Sequence, residues 1–172
     1  MLNNLNIFYK KKILIYGLGK SGLSVLKFLK KNNEITTHDD KIKVDNKKIT
    51  KIKFDYIIIS PGIDINKCNL SKFLKDNSKK IYTDLDIFYN HHKSNSKITI
   101  TGTNGKSTTA KILYDVLRDQ KVDVRLVGNI GNPILLEKKV TNRTVFVIEA
   151  SSYQLEYSKL FKSNISLILN IS

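Results

Sequence analysis

The stretch Thr99-Ile-Thr-Gly-Thr-Asn-Gly-Lys-Ser-Thr-Thr109 restricts the folds open to this chain more than any other. An apolar strand carrying Ile98 and Ile100 runs into Gly102-Thr-Asn-Gly105, then Lys106 and Ser107, and a helical pattern follows. Glycines there let successive backbone N–H groups turn toward one anion, and the helix N-terminus adds its partial positive charge. The spacing fits a phosphate-binding loop in which Lys106 reaches the β- and γ-phosphates of a nucleoside triphosphate and Ser107 ligates Mg²⁺. It departs from the common G-x-x-x-x-G-K-[ST] pattern, because Ile100 stands where the first glycine belongs. A plain glycine turn with a surface lysine would not account for Thr101, Thr103, Asn104, Ser107, Thr108 and Thr109 crowding one bend.

A second glycine turn lies near the start. Ile13-Leu-Ile-Tyr16 reads as a buried strand, and Gly17-Leu-Gly-Lys-Ser-Gly22 follows at once. Leu23, Leu26 and Leu29, with Val25 and Phe28 beside them, then give helical spacing. A strand from Glu34 to His38 ends in Asp39-Asp40, about 20 residues beyond the turn. This is a βαβ unit of the dinucleotide-binding kind, although NAD is only one ligand such a crevice can hold.

Phe54-Asp-Tyr-Ile-Ile-Ile59 is apolar on both faces and reads as a central strand of a parallel sheet. It runs into Ser60-Pro-Gly-Ile63, at the strand end where open α/β sheets bind ligands. Leu70, Phe73 and Leu74 suggest a helix, Lys80-Ile-Tyr82 a short strand, and Asp84 to Tyr89 a short helix. His91-His92-Lys-Ser-Asn-Ser-Lys97 is polar and patternless and reads as a solvated linker. The adjacent histidines lack a third ligand nearby, so a metal pair is not expected; His38 and Cys68 receive the same plain reading.

Beyond the phosphate loop, Ala110, Leu113, Val116 and Leu117 are expected on one helix face. Val122 to Val127 reads as a strand, Gly128-Asn-Ile-Gly-Asn-Pro133 as a tight loop, and Val145-Phe-Val-Ile148 as a buried strand. Glu149 at its carboxyl end stands where phosphate-loop enzymes often keep a magnesium-holding acid. Ser151-Ser-Tyr-Gln154 opens a further segment, and Ile165-Ser-Leu-Ile-Leu169 is one more strand. The fold class is therefore α/β: an N-terminal Rossmann-like parallel-sheet domain, then the first part of a phosphate-loop ATPase α/β domain, truncated. Expected boundaries are 1–93 for the first domain, 94–97 for a linker and 98–172 for the incomplete second domain.

The formal charge of +15 raises nucleic acid or an anionic membrane as partners. Two features argue otherwise: the only arginines are Arg118, Arg125 and Arg143, and the lysines are scattered, with Lys10-Lys11-Lys12 the longest run. No specific nucleic-acid binding is expected. Cys68 is the single cysteine, which excludes an internal disulfide or a cysteine zinc cluster. The stretch Met1 to Lys10 lacks the apolar core of a secretory signal and no segment approaches a membrane span, so a soluble cytoplasmic chain without membrane insertion is expected.

Taken in order, Gly17-Leu-Gly-Lys-Ser-Gly22, Ser60-Pro-Gly-Ile63, Gly102-Thr-Asn-Gly-Lys-Ser-Thr-Thr109, Gly128-Asn-Ile-Gly131 and Glu149-Ala-Ser-Ser-Tyr-Gln-Leu-Glu156 resemble the Mur ligases of peptidoglycan synthesis. The likeness runs from about Ile13 to the end of the sequence. Ser107 and the Ser-Ser-Tyr-Gln run look most like the D-glutamate-adding branch of that family. The resemblance implies ATP-driven amide formation, with UDP-N-acetylmuramoyl-L-alanine and D-glutamate as substrates, ATP and Mg²⁺ as cofactors, and a monomer when full length. The substrate carboxylate would attack the γ-phosphate to give an acyl phosphate, and the D-glutamate amine would displace phosphate.

The resemblance also implies roles for single residues. Gly102, Thr103, Asn104, Gly105, Lys106, Ser107 and Thr108 would contact ATP, Lys106 and Glu149 would be catalytic, and Ser107 and Glu149 would hold the metal. Lys20 and Ser21 would face the diphosphate and Asp39 the uracil, with Asp40 left open. Asn129, Ser151 and Gln154 would contact the substrate. Glu149-Ala150 replaces the family's more usual Glu-Leu. The family's metal-site histidine, carbamylated lysine and C-terminal amino-acid-binding domain have no counterpart in these 172 residues, so the chain alone is expected not to ligate.

Rival readings are a nucleotide-sensing Rossmann module that binds NAD or a UDP-sugar without ligase activity, a folylpolyglutamate synthase, and a basic nucleic-acid-binding protein. Residues 13–40 argue against the synthase, which lacks such an N-terminal glycine turn. The missing arginine cluster and aromatic platform argue against the nucleic-acid reading.

Overall fold

The computed structural model describes residues 6–42 and 46–171. Met1 to Leu5, half of the stretch read above for a leader, lie outside the described residues, as do 43–45 and Ser172.

The described residues form two four-stranded sheets, parallel throughout. The first uses β1 (Lys12–Tyr16), β2 (Glu34–His38), β3 (Tyr56–Ile59) and β4 (Ile81–Tyr82) in the order β2-β1-β3-β4. Its helices are α1 (Lys20–Leu29), α2 (Asn46–Thr50), α3 (Ser71–Asp76) and α4 (Asp84–His91). The second sheet uses β5 (Ser96–Thr101), β6 (Val124–Gly128), β7 (Val145–Glu149) and β8 (Ile165–Ile168) in the order β6-β7-β5-β8. Its helices are α5 (Lys106–Asp119) and α6 (Ser152–Tyr157). Each glycine loop thus leaves a strand with neighbours on both sides, at the carboxyl edge where α/β sheets bind ligands. Among the described residues no helix is long and apolar enough to cross a membrane.

Alternation along β1 sorts its side chains to two faces. Leu14 and Tyr16 pack with Ile49, Phe54, Leu70 and Leu74 on one side. Ile13 and Ile15 point the other way, into a core that also holds Val25 and Leu29 of α1, Leu85 and Phe88 of α4, and Phe146 and Ile148 of β7. The two sheets therefore share one continuous apolar core, with α1 and α4 between them. Val147 and Ile100 face the opposite layer and meet Ala110, Leu113 and Leu117 of α5. Phe88 and Phe146, both fully buried, meet edge to face at 4.8 Å between ring centroids. Truncating either to alanine would cost about 3–5 kcal/mol.

Several local expectations need correction. Ser96 and Lys97, read as linker, are the first residues of β5, and Lys97 is 1% exposed. Its ammonium reaches the Asn95 carbonyl at 2.5 Å and the Lys93 carbonyl at 3.3 Å. The histidine pair is not patternless linker either, although His91 is exposed. His91 is the last residue of α4 and packs on Phe28, and half-buried His92 lies against Phe88 and Phe146. Val116, expected on the apolar face of α5, is 54% exposed beside Ile112, and Tyr114 takes its place inward. Leu23 likewise points outward while Gly22 and Ser24 of α1 are buried.

Candidate functional site

The first glycine turn is a close approach of backbone to backbone. A Cβ on Gly22 would fall 1.8 Å from the Gly17 carbonyl oxygen, so only glycine lets α1 start against the end of β1. That carbonyl also accepts the Ser60 hydroxyl at 2.7 Å, which ties the turn to the Ser60-Pro-Gly-Ile63 loop after β3. Asp39, leaving β2, accepts the Leu18 N–H at 2.7 Å and the Lys41 N–H at 3.0 Å. The Leu18 bond, then the Lys41 bond, hold its carboxyl below the usual range. Asp39 thus braces the glycine turn from beneath, and each of its oxygens keeps a lone pair for a ligand.

A cavity of about 520 Å³ opens above this turn. Gly17, Lys20, Ser21, Asp39 and Ser60 line one wall, and Gly128, Asn129 and Gly131 of the loop after β6 line the other. Both sheets therefore build the same pocket. Gly128, at φ +108°, lies so close to Glu149 that a Cβ would come within 2.2 Å of its carbonyl oxygen. The Asn129 N–H donates to that carbonyl at 3.0 Å. This packing brings Lys20, Ser21, Asp39 and Asn129 to one cavity.

Asp40, more exposed than Asp39, also lines this cavity. It accepts the Tyr16 hydroxyl at 2.5 Å and the Asn69 N–H at 3.2 Å, with His38 Nε2 at 3.4 Å. Burial, then the bond to Asp40, push the Tyr16 phenol upward.

At the second glycine loop Lys106 opens α5 and folds back, donating to the Gly102 carbonyl at 2.7 Å and the Thr103 carbonyl at 2.9 Å. Ser107, one residue on, donates its hydroxyl to Glu149 Oε2 at 2.7 Å. Glu149 is 4% exposed at the end of β7, where parallel pairing sets it beside Ile100 of β5. A hydroxyl and a carboxylate so placed are hard oxygen donors of the kind Mg²⁺ takes, with the remaining positions left to water and phosphate. Among the described residues no cluster of three or more His, Cys, Asp or Glu could hold a metal ion by side chains alone.

A second cavity, of about 610 Å³, is lined by Thr101, Gly102, Thr103, Lys106, Ser151, Tyr153 and Asn170. Asn170 had no assigned role. Its carbonyl accepts the Thr103 N–H at 3.1 Å, its side-chain oxygen accepts the Asn104 N–H at 2.8 Å, and its amide donates to the Asn104 carbonyl at 3.1 Å. These bonds hold the glycine loop against the end of β8. No local pattern marks such a contact, which joins residues 66 apart.

Gln154 is placed differently from the expectation. It is 1% exposed and its amide donates to Asp84 Oδ1 at 2.9 Å, while its oxygen accepts the Ser151 N–H at 3.1 Å. Ser151 and Gln154 form the capping box of α6, and Ser151 alone of the two lines the cavity. Below them Asp86, fully buried in α4, accepts the N–H groups of Lys159, Leu160 and Phe161 at 2.9, 2.7 and 3.1 Å. Its other oxygen caps Thr83 at 2.9 Å. The Thr83-x-x-Asp86 spacing is a legible capping signal, but its reach across to residues 159–161 is not.

Residues 100–172 match the model of the Mur ligase middle domain. The chain is 34% identical over 183 residues to the UDP-N-acetylmuramoylalanine–D-glutamate ligase of Rickettsia bellii, covering 98% of this chain and 40% of that protein. It is also 34% identical over 183 residues to the ligase of the same name from Clostridioides difficile, covering 94% and 40%. In fold it is similar to a crystal structure of UDP-N-acetylmuramate:L-alanyl-gamma-D-glutamyl-meso-diaminopimelate ligase from Neisseria meningitides. The TM-score is 0.51 at 13% identity, over 95% of this chain and 61% of that one. The chain spans about 40% of the length of these curated relatives.

Proposed function

This chain belongs to the Mur ligase family, and from that premise we propose that it carries the two nucleotide sites of an ATP-dependent ligase joining D-glutamate to UDP-N-acetylmuramoyl-L-alanine. The uridine diphosphate occupies the first cavity, with Lys20 and Ser21 at the diphosphate, Asp39 toward the uracil, and Asn129 and Ser151 along the path to the sugar and its carboxylate. ATP occupies the second, held by the loop from Gly102 to Thr108, of which Gly102, Thr103 and Lys106 line the cavity. Residues 1–93 serve as the uridine-nucleotide domain, 98–172 as part of the ATP-binding domain, and the full-length protein acts as a monomer.

The observation that carries this reading is the Ser107–Glu149 contact beside Lys106 at the mouth of a strand–glycine loop–helix. Lys106 exchanges its two loop carbonyls for phosphate oxygens and so loses no hydrogen bonds when a nucleotide enters. Ser107 and Glu149 would hold Mg²⁺, which neutralises phosphate charge when bound. Cationic Lys106 stabilises the charge that develops on the γ-phosphoryl group as the substrate carboxylate attacks it. Charge of that kind on a preorganised site lowers a barrier far more than the same charge in water.

The reading is tested by titrating the chain with a non-hydrolysable ATP analogue in the presence of Mg²⁺. Binding that is lost in Lys106→Ala and weakened when Mg²⁺ is withdrawn supports it. Equal binding by the wild type and Lys106→Ala contradicts it. The 172 residues alone are proposed to make no ligation product.

A further inference from the structure

By sequence α6 follows β7 of the second sheet, yet its polar anchors lie on the first domain. Gln154, 1% exposed, donates its amide to Asp84 of α4 at 2.9 Å. Tyr157 packs into the first domain's core cluster, where it faces Ile65, Leu74 and Ile81. The hydroxyl of Ser158, which ends the helix, lies 2.7 Å from that of Thr83, and Lys159 Nζ donates to the Ser78 carbonyl at 2.7 Å.

Asp86 completes this dock. Its Oδ1 alone accepts three successive backbone N–H groups, those of Lys159, Leu160 and Phe161, at 2.7–3.1 Å. Consecutive N–H groups turned to one point form an anion-binding concavity, and here the anion is a side chain of the other domain. Oδ2 takes the Thr83 N–H at 2.9 Å, so the carboxylate cannot rotate without breaking bonds. With six residues, α6 is too short to hold its place by its own hydrogen bonds, so its position is set by what it is docked on. The same helix serves the other domain's site: Ser151 at its N-cap, with Tyr153 and Leu155, lines the second cavity together with Gly102, Thr103 and Lys106.

We propose that Asp86 is a positioning residue for the phosphate-loop cavity, a side chain of the first domain that sets one wall of the second domain's nucleotide site. Asp86 touches no ligand; it acts through the backbone of residues 159–161, which fixes the C-terminal end of α6. The first cavity has other supports. The Ser60–Gly17 bond, the Asp39–Leu18 bond and the seat of Gly128 on Glu149 involve neither residue 86 nor α6. Loss of the Asp86 charge therefore disturbs the site of the neighbouring domain and spares the site of its own.

The inference rests on the nucleotide-site reading, and calorimetry separates the two. UDP, and a non-hydrolysable ATP analogue with Mg²⁺, are titrated separately into the wild type and into Asp86→Asn, which keeps the shape and removes the charge. Hydrogen exchange follows the amides of residues 159–161. The expected result is faster exchange there and analogue binding about tenfold weaker, the scale of one charge-assisted anchor, with UDP affinity within twofold of wild type. Tyr157→Ala loosens the same helix without leaving a buried N–H unpaired, should give the same split, and keeps the test available if Asp86→Asn does not fold. A folded variant whose amides at 159–161 exchange faster while the analogue binds as to wild type overturns the inference alone. So does an equal loss for both ligands, which is what a merely structural role would give. Failure of both ligands to bind the wild type overturns the nucleotide-site reading, and this inference with it.

Discussion

Ser107 donates its hydroxyl to Glu149 across 2.7 Å, joining the first turn of α5 to the end of β7. The contact spans 42 residues of sequence and two separate strands. If the pair holds Mg²⁺ with the nucleotide, Glu149→Gln keeps the hydrogen bond but removes the charge. The expected outcome is an ATP-analogue affinity reduced about tenfold with Mg²⁺ and unchanged without it, checked by titration in both conditions. Equal losses in both conditions would show that Glu149 acts only as a structural acceptor.

Gly22 makes the tightest backbone approach of any glycine among the described residues, a Cβ there meeting the Gly17 carbonyl oxygen at 1.8 Å. Because the obstacle is backbone, α1 must shift to admit a methyl group. Gly22→Ala is expected to destabilise the chain by about 2–4 kcal/mol and to abolish UDP binding, measured by denaturant unfolding and calorimetry. Gly19→Ala, where a Cβ meets nothing within 4 Å, serves as the control and should leave stability within about 1 kcal/mol.

His92 gives the fold a pH dependence with a definite sign. Burial against Phe88 and Phe146, then the neighbouring His91, depress its pKa below 6.5. The unfolded chain therefore binds a proton that the folded chain resists. Stability is full above about pH 6.5 and falls as the pH drops toward the depressed value. His92→Phe should flatten that part of the profile, as read from the midpoint of thermal unfolding between pH 7.5 and 5.5. A slope unchanged in His92→Phe would assign the loss to other groups.

Much of the fold was legible because its signals are local. The β1 strand, the two glycine turns and the polar loop after β6 each declare themselves within a few residues, and the strands alternate or run apolar as buried strands do. The shared core was not legible. Lys97 reads as a solvated residue, yet its stem is buried and its ammonium satisfied by the Asn95 and Lys93 carbonyls, a solution set by tertiary packing. The same holds for His92, whose polar neighbours in sequence hide two aromatic neighbours in space.

The site divides along the same line. Lys20, Ser21, Asp39 and Asn129 line one cavity, and Lys106, Ser107 and Glu149 gather at the other loop. Gln154 departs because the residue that claims its amide, Asp84, lies 70 positions earlier. Asn170 escaped notice for the same reason, since its grip on Asn104 is made between chain segments with no pattern of their own.

The most direct test of the central claim is a competition at the first cavity between UDP-N-acetylmuramoyl-L-alanine and NADH. The account predicts that the UDP-sugar binds, that Ser21→Ala and Asn129→Ala each weaken it, and that NADH does not displace it. NADH binding that excludes the UDP-sugar, with Asn129→Ala without effect, would contradict the account and make the chain a dinucleotide-binding module.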